Sequence, residues 1–178
     1  MLRLVTPYAA LASGGLLLQG AAVVMNGGAW LMLGRSNAGK STLAGAALAA
    51  GRPILSDDIN LLRPDDAGGF VSGAVPLTGD LRAHQTAGPD ARFPVRGLLW
   101  LSQAETLGIE PMSAGEAASR MLACCPVVNT DPYRLERVFS VIERVLSVLP
   151  MHTLKFRRDD PFEAIEAMVL GAIKPASV

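Results

Sequence analysis

Gly34-Arg35-Ser36-Asn37-Ala38-Gly39-Lys40-Ser41-Thr42 is the stretch that decides the fold of this chain. It fits G-x-x-x-x-G-K-[ST], the phosphate-binding loop. Gly34 and Gly39 permit backbone angles that other residues resist, which lets the loop's N–H groups converge on phosphate oxygens. Lys40 supplies a point charge for the terminal phosphates, and Ser41 a hydroxyl for Mg²⁺. Arg35 reaches towards phosphate or a partner chain. The flanks agree with the motif. Residues 29–33, Ala-Trp-Leu-Met-Leu, lead in as a strand, and 41–48 lead out as a helix whose N-terminus faces the anion.

Composition narrows the rest. The chain has 178 residues, enough for one domain with a full core. Half of it is apolar and the formal net charge is zero, so there is no basic field for nucleic acid. Aromatic residues make up 5%, too few for base-stacking platforms. The two cysteines, Cys124 and Cys125, are adjacent and have no nearby histidine. They read as buried, reduced thiols of a cytoplasmic protein rather than a bridge or a zinc site. The apolar segment from Arg3 to Met25 is interrupted by Gly14-Gly15, Gln19-Gly20 and Asn26-Gly27-Gly28. It is expected to form strands, not a signal peptide or a membrane span.

Outward from the loop, 16–25 and 29–33 read as a hairpin about Asn26-Gly27-Gly28. The helix after the loop ends near Ala50-Gly51. Residues 53–56 form a short buried strand, and 59–63 another. Residues 64–96 read as irregular, with short strands at most over 70–71 and 75–77; 97–101 return to a buried strand. Ser113-Ala114-Gly115-Glu116 is a capping box that opens a helix to about Ala123. Thr130-Asp131-Pro132 opens the next helix, with Leu135, Val138, Phe139, Ile142, Val145 and Leu146 as its buried face. Pro150 stops it, 151–157 alternate as a strand, and Asp160-Pro161 starts a last helix to about Leu170. Trp30, Trp100 and His152 read as structural, and His84 carries no assigned role.

Asp57-Asp58 closes the short strand after the loop. A carboxylate at a strand end holds Mg²⁺ in phosphate-loop proteins. Adjacent residues of a strand point to opposite sides, so one aspartate faces metal and phosphates while the other faces an incoming nucleophile. Which does which is left open by the residues. Arg82, Arg92 and Arg96 are further candidates to clamp phosphate or acidic groups.

The loop followed by Gly-Arg-Pro-Ile-Leu-Ser-Asp-Asp at 51–58 resembles the catalytic domain of HPr kinase/phosphorylase. It is most similar to the short HPr-kinase-like proteins of bacterial biosynthetic clusters, among them lasso-peptide pathways. Val95-Arg96-Gly97-Leu98-Leu99-Trp100-Leu101-Ser102-Gln103-Ala104-Glu105 and Leu154-Lys155-Phe156 resemble that group too, and the likeness spans most of 15–170. The resemblance implies an α/β nucleotide-binding domain of the HPr kinase and phosphoenolpyruvate carboxykinase type, a central mixed sheet flanked by helices. The whole chain, 1–178, would be one kinase domain: phosphate loop 34–42, acidic strand end 54–58, substrate-side region 64–96, C-terminal helices and strand 113–171. Residues Gly34, Arg35, Ser36, Asn37, Ala38, Gly39, Lys40, Ser41 and Thr42 would hold ATP. Lys40 would act on the β- and γ-phosphates, Asp57 would be the base towards a serine hydroxyl, and Ser41 and Asp58 would hold Mg²⁺.

There are departures. Where HPr kinases carry His-Gly and many short relatives Leu-His-Ala, this chain has Leu18-Gln19-Gly20-Ala21. Gln19 hydrogen-bonds but does not titrate; it either orients Asp57 or is a plain strand residue. Asn37 takes a slot where relatives often have Gly. For the downstream metal-binding glutamate the nearest candidate is Asp80, in Thr78-Gly79-Asp80-Leu81-Arg82. The signature needed for the phosphorylase reaction is not found. The resemblance therefore implies a cytoplasmic bacterial kinase acting on a serine of a peptide or small protein, such as a biosynthetic precursor peptide. Neither nucleic acid nor membrane is an expected partner, and a homo-oligomer is compatible. The alternatives are a non-catalytic nucleotide-binding regulatory module, a hydrolytic ATPase and a small-molecule kinase.

Overall fold

Period-two alternation in three apolar strands builds two cores back to back. The computed structural model describes residues 2–73, 87–88 and 90–173, the side chains of 2–4 excepted. Asp80, Arg82, His84 and the strand expected over 75–77 lie outside them. In chain order the elements are α1 (Leu2–Ala12), β1 (Leu16–Gln19), β2 (Ala21–Met25), β3 (Gly28–Leu33), α2 (Lys40–Ala49), β4 (Ile54–Ser56), β5 (Ile59–Pro64), β6 (Phe70–Gly73), β7 (Arg92–Gln103), β8 (Gly108–Pro111), α3 (Ala114–Ala123), α4 (Leu135–Val148), β9 (Met151–Phe156) and α5 (Phe162–Ala172).

The strands join in one mixed sheet. β4, β2, β3, β7, β9 and β8 lie side by side. β3, β7 and β9 run parallel, and the outer pairings are antiparallel. The long β7 serves two neighbourhoods. Its first residues pair with β6, which leads through β5 to β1, while Val95 onwards pairs with β3. Strands covered on both faces read as continuous apolar runs, which is why 29–33 and 97–101 stand out in the sequence. Trp30 and Met32 of β3, Val23 of β2, and Leu99 and Leu101 of β7 face α2 and α5, whose Leu43, Ala47, Phe162 and Val169 complete that core. Leu31 and Leu33 of β3, with Leu98 and Trp100 of β7, face the other way. There they meet Leu18, Leu62 and Phe70, together with Met121 of α3 and Ile142 of α4. The match to an α/β fold with a central mixed sheet flanked by helices is direct. Among the described residues, no helix is long and apolar enough to cross a membrane.

Four local expectations are corrected. Residues 2–12 form a helix, not a strand: Pro7, Ala10 and Leu11 are buried at helical spacing, while apolar residues such as Val5 on the outer side conceal the period. β7 starts at Arg92, five residues before the expected Gly97, because β6 supplies a partner for its beginning. Pro94, which argues against a strand, sits where β7 changes partners from β6 to β3. Asp131 does not open a helix; its carboxylate accepts the Tyr133 N–H at 3.0 Å in a tight turn, and α4 begins at Leu135. The buried face of α4 is Val138, Val141, Ile142 and Val145, whereas Phe139 is 39% exposed. β8 is an additional strand that the sequence did not signal.

Candidate functional site

The 34–42 loop leaves the carboxyl end of β3 and turns sharply into α2. Asn37 and Gly39 take left-handed angles, φ 63° and 98°. Asn tolerates this region better than most residues. At Gly39 the demand is double, since a Cβ there would also lie 3.0 Å from Cζ of Phe156. The loop is braced from the neighbouring parallel strands. Gln103 at the end of β7 donates through Nε2 to the Asn37 carbonyl at 3.2 Å, and Phe156 at the end of β9 packs on Gly39.

Lys40 opens α2. Its ammonium donates to the carbonyl oxygens of Gly34 at 2.9 Å and Arg35 at 2.7 Å. Burial lowers its pKa, against the opposing effects of Cys124 and Asp58. The Cys124 thiol belongs to this neighbourhood as well. Burial raises its pKa, and the Gly34 N–H and Lys40 pull the other way without prevailing. Both cysteines are free and buried, and Cys125 is pushed up to about 12, chiefly by burial.

The acidic pair is presented by a turn. Ser56 Oγ accepts from the N–H groups of Asp58 and Ile59, each at 3.2 Å, so the chain reverses between β4 and β5 around the two aspartates. Asp57 is buried and Asp58 half-buried. Gly20 N–H donates to the Asp58 carbonyl at 2.8 Å, and buried Asn60 donates through Nδ2 to the Gly20 carbonyl at 2.6 Å. Gln19 N–H donates to the Cys124 carbonyl at 2.8 Å. The β1–β2 junction, the aspartate turn and the end of α3 are thereby laced together.

These parts enclose a cleft of about 430 Å³. One wall is the loop and first helical turn: Gly34, Ser36, Asn37, Gly39, Lys40, Ser41 and Thr42. The remaining lining is Gln19, Asp57, Asp58 and Arg158. Arg35 and Ala38 do not line it. Arg35 is exposed and contributes its carbonyl to Lys40, and Ala38 packs inwards on the α2 core. Neither Arg92 nor Arg96 lines it either. Arg92 is exposed and donates to the Ala91 carbonyl, and Arg96 borders a separate pocket beside Phe70 and Leu149.

Arg158 and Cys124 were missed by the sequence reading. A signal for Arg158 existed in the topology: in open α/β sheets the crevice lies outside the carboxyl ends of the parallel strands. β3, β7 and β9 are parallel, so the turn after β9 borders the same crevice as the loop after β3. Cys124 carries no such signal, because a thiol read alone is indistinguishable from a small core residue.

The cleft pairs a cation at a helix N-terminus with two carboxylates, an arrangement suited to polyanion binding with a proton acceptor beside it. Among the described residues no group of three or more His, Cys, Asp or Glu is assembled for a metal ion. Mg²⁺ commonly takes one or two carboxylates and fills its shell with water and substrate phosphates. The donors Ser41, Asp57 and Asp58 on one cleft fit that style of site and not a self-sufficient metal centre.

The family model described as SynChlorMet cassette protein ScmC matches residues 2–154. No curated protein matches the chain in sequence. Among solved structures, the HPr(Ser) kinase/phosphatase from Coxiella burnetii is similar at a TM-score of 0.51. The alignment covers 87% of this chain and 94% of that one, at 14% identity. At that identity the likeness is one of fold: this chain has an HPr-kinase-like α/β fold.

Proposed function

The chain belongs to the SynChlorMet cassette protein ScmC family, and from that premise we propose that it is an ATP- and Mg²⁺-dependent kinase. Its acceptor is a serine hydroxyl of a peptide or small protein, with a biosynthetic precursor peptide as the favoured class. The observation that carries this reading is the convergence of Lys40, Ser41, Asp57 and Asp58 on one cleft at the start of α2. The HPr-kinase-like fold supports a kinase over other users of such a loop.

In this reading the loop's N–H groups and the α2 N-terminus take the β- and γ-phosphates. Lys40 exchanges the carbonyls of Gly34 and Arg35 for phosphate oxygens. Ser41 and Asp58 hold Mg²⁺, which when bound neutralises charge on the nucleotide's phosphates. Asp57 accepts the serine proton as that oxygen bonds to the γ-phosphorus. The bond from γ-phosphorus to the β–γ bridging oxygen breaks, and ADP leaves. Asp80 remains the proposed further metal ligand. A second reading, a nucleotide-binding regulatory module, is favoured by Gln19, a group that cannot titrate on the wall shared with Asp57.

The test is incubation with γ-labelled ATP, Mg²⁺ and precursor peptides, read by intact mass. The expected result is one added phosphate on a peptide serine, absent with Lys40→Ala. Asp57→Asn is expected to retain nucleotide affinity and lose transfer; full transfer there would remove Asp57 as the base. Tight binding without turnover would select the regulatory module, and free phosphate alone a hydrolase.

A further inference from the structure

We propose that Arg158 acts beside Lys40 as a cation of the cleft and contacts the terminal phosphates of the nucleotide during transfer. This rests on the kinase reading above. Arg158 lines the same cleft as Lys40, Asp57 and Asp58.

The turn that carries Arg158 is built to leave it available. The Asp160 carboxylate accepts the Arg157 backbone N–H at 2.8 Å and the Arg157 Nε–H at 3.1 Å. Asp159 approaches the same guanidinium at 3.7 Å. Both acids of the turn are thus directed at Arg157, and among the described residues Arg158 has no carboxylate partner. The turn is also fixed at both ends. Phe156, just before it, packs on Gly39, and Phe162, just after it, is buried at the start of α5. The backbone is therefore set in place while Arg158 stays exposed. A planar fork of donors matches phosphate oxygens bidentately, which an ammonium does not. In phosphoryl transfer an arginine supplied by the same chain stabilises charge that develops on the moving group.

Arg158→Ala, Arg158→Lys and wild type are compared by calorimetry with ATP, ADP, AMP and inorganic tripolyphosphate, and in the transfer assay. Because Arg158 is exposed, all three proteins should melt together. Arg158→Ala is expected to weaken ATP and tripolyphosphate binding by about tenfold or more and to leave AMP unchanged. Turnover should fall by about 10²-fold or more with the peptide KM unaltered, and Arg158→Lys should restore only part. Unchanged affinity and turnover in Arg158→Ala would overturn the assignment and leave a solvated surface arginine. Equal losses for AMP and ATP would overturn it in favour of a contact to the nucleoside. Failure of the wild type to bind any of the four probes would overturn the nucleotide reading itself, and Arg158 with it. Wild-type binding without transfer would sink only the kinase reading, and the ATP-to-AMP contrast would still decide Arg158.

Discussion

Lys40 is a cation in a place that resists one. Burial lowers its pKa, and the influences of Cys124 and Asp58 only partly offset that. Bound phosphate reverses the balance, since an adjacent negative charge favours the ammonium. The complex then holds the proton more tightly than the free protein. Below both values binding is indifferent to pH. Between them binding takes up a proton, and affinity falls by up to about tenfold per pH unit. Because the free value is depressed below the ordinary 10.5, the fall begins at lower pH than a solvated lysine would give. The sign for folding is opposite: between the depressed folded value and 10.5 the unfolded chain binds the proton better, so Lys40's own contribution to stability rises with pH there. Titration calorimetry with ATP from neutral pH upwards, in two buffers of different ionisation enthalpy, should show proton uptake that disappears in Lys40→Arg. Affinity that stays flat up to 10.5 would separate Lys40 from the phosphates. This residue was legible because its whole rationale is local: Gly39, Lys40 and Ser41 are adjacent, and Asp57-Asp58 follows within one helix and one strand. Arg158 and Cys124 were not, because only the sheet brings residues more than 80 positions away to the same loop.

A tight contact crosses the parallel pair at the centre of the sheet. Trp30 of β3 pairs with Gly97 of β7, and a Cβ at Gly97 would fall 2.5 Å from Cζ3 of the indole. The parallel pair therefore packs the large ring over a residue with no side chain, and the adjoining α2 and α5 close over it. Gly97→Ala should cost about 1–3 kcal/mol by overpacking. Trp30→Leu makes room for the added methyl and also removes an indole N–H that is buried without a partner among the described residues. The double variant should accordingly lose less than the sum of the single losses, as contacting residues do. Urea titration of the four proteins measures the coupling; strict additivity would mean that the ring and Gly97 do not constrain each other. Elements with a local signal could be read from the sequence: the apolar run of β3, the phosphate loop ahead of α2, the capping box of α3 and the Asp160-Pro161 start of α5. α1 could not, because apolar residues on its exposed side conceal the helical period. Neither could the start of β7 nor β8, whose partners β6 and β9 are remote pairings that leave no local trace.

At the scale of the molecule, a central sheet apolar on both faces dictates two layers of cover, and that much of the architecture follows from the runs at 29–33 and 97–101. How the layers are shared does not follow, because it depends on β7 belonging to two sets of neighbours at once. The expected consequence is a single cooperative unit, because neither core has a sheet face of its own: β2, β3 and β7 give alternate side chains to each. The two tryptophans of the chain test this directly. Trp30 is 1% exposed in the core beneath α2 and α5. Trp100 is 7% exposed in the opposite core, with the Arg120 guanidinium 4.5 Å from its ring centroid. Trp100→Phe leaves an indole reporting on one face, and Trp30→Phe leaves one reporting on the other. Each variant will be destabilised, so the comparison is made within each protein, between its fluorescence and its far-UV circular dichroism in urea. Coincident transitions in both variants are the expected result, since the two cores share β2, β3 and β7 and a strand that loses its cover on one face loosens the other. A fluorescence midpoint displaced from the dichroism midpoint in either variant would mean that one layer melts first. The cleft then bears on the outcome. Its loop rests on α2 and Phe156 from one core, and its Gln19 and aspartate walls rest on β1, β4 and β5. Premature melting of either layer would open the site before the chain unfolds, and nucleotide would then raise the earlier midpoint alone.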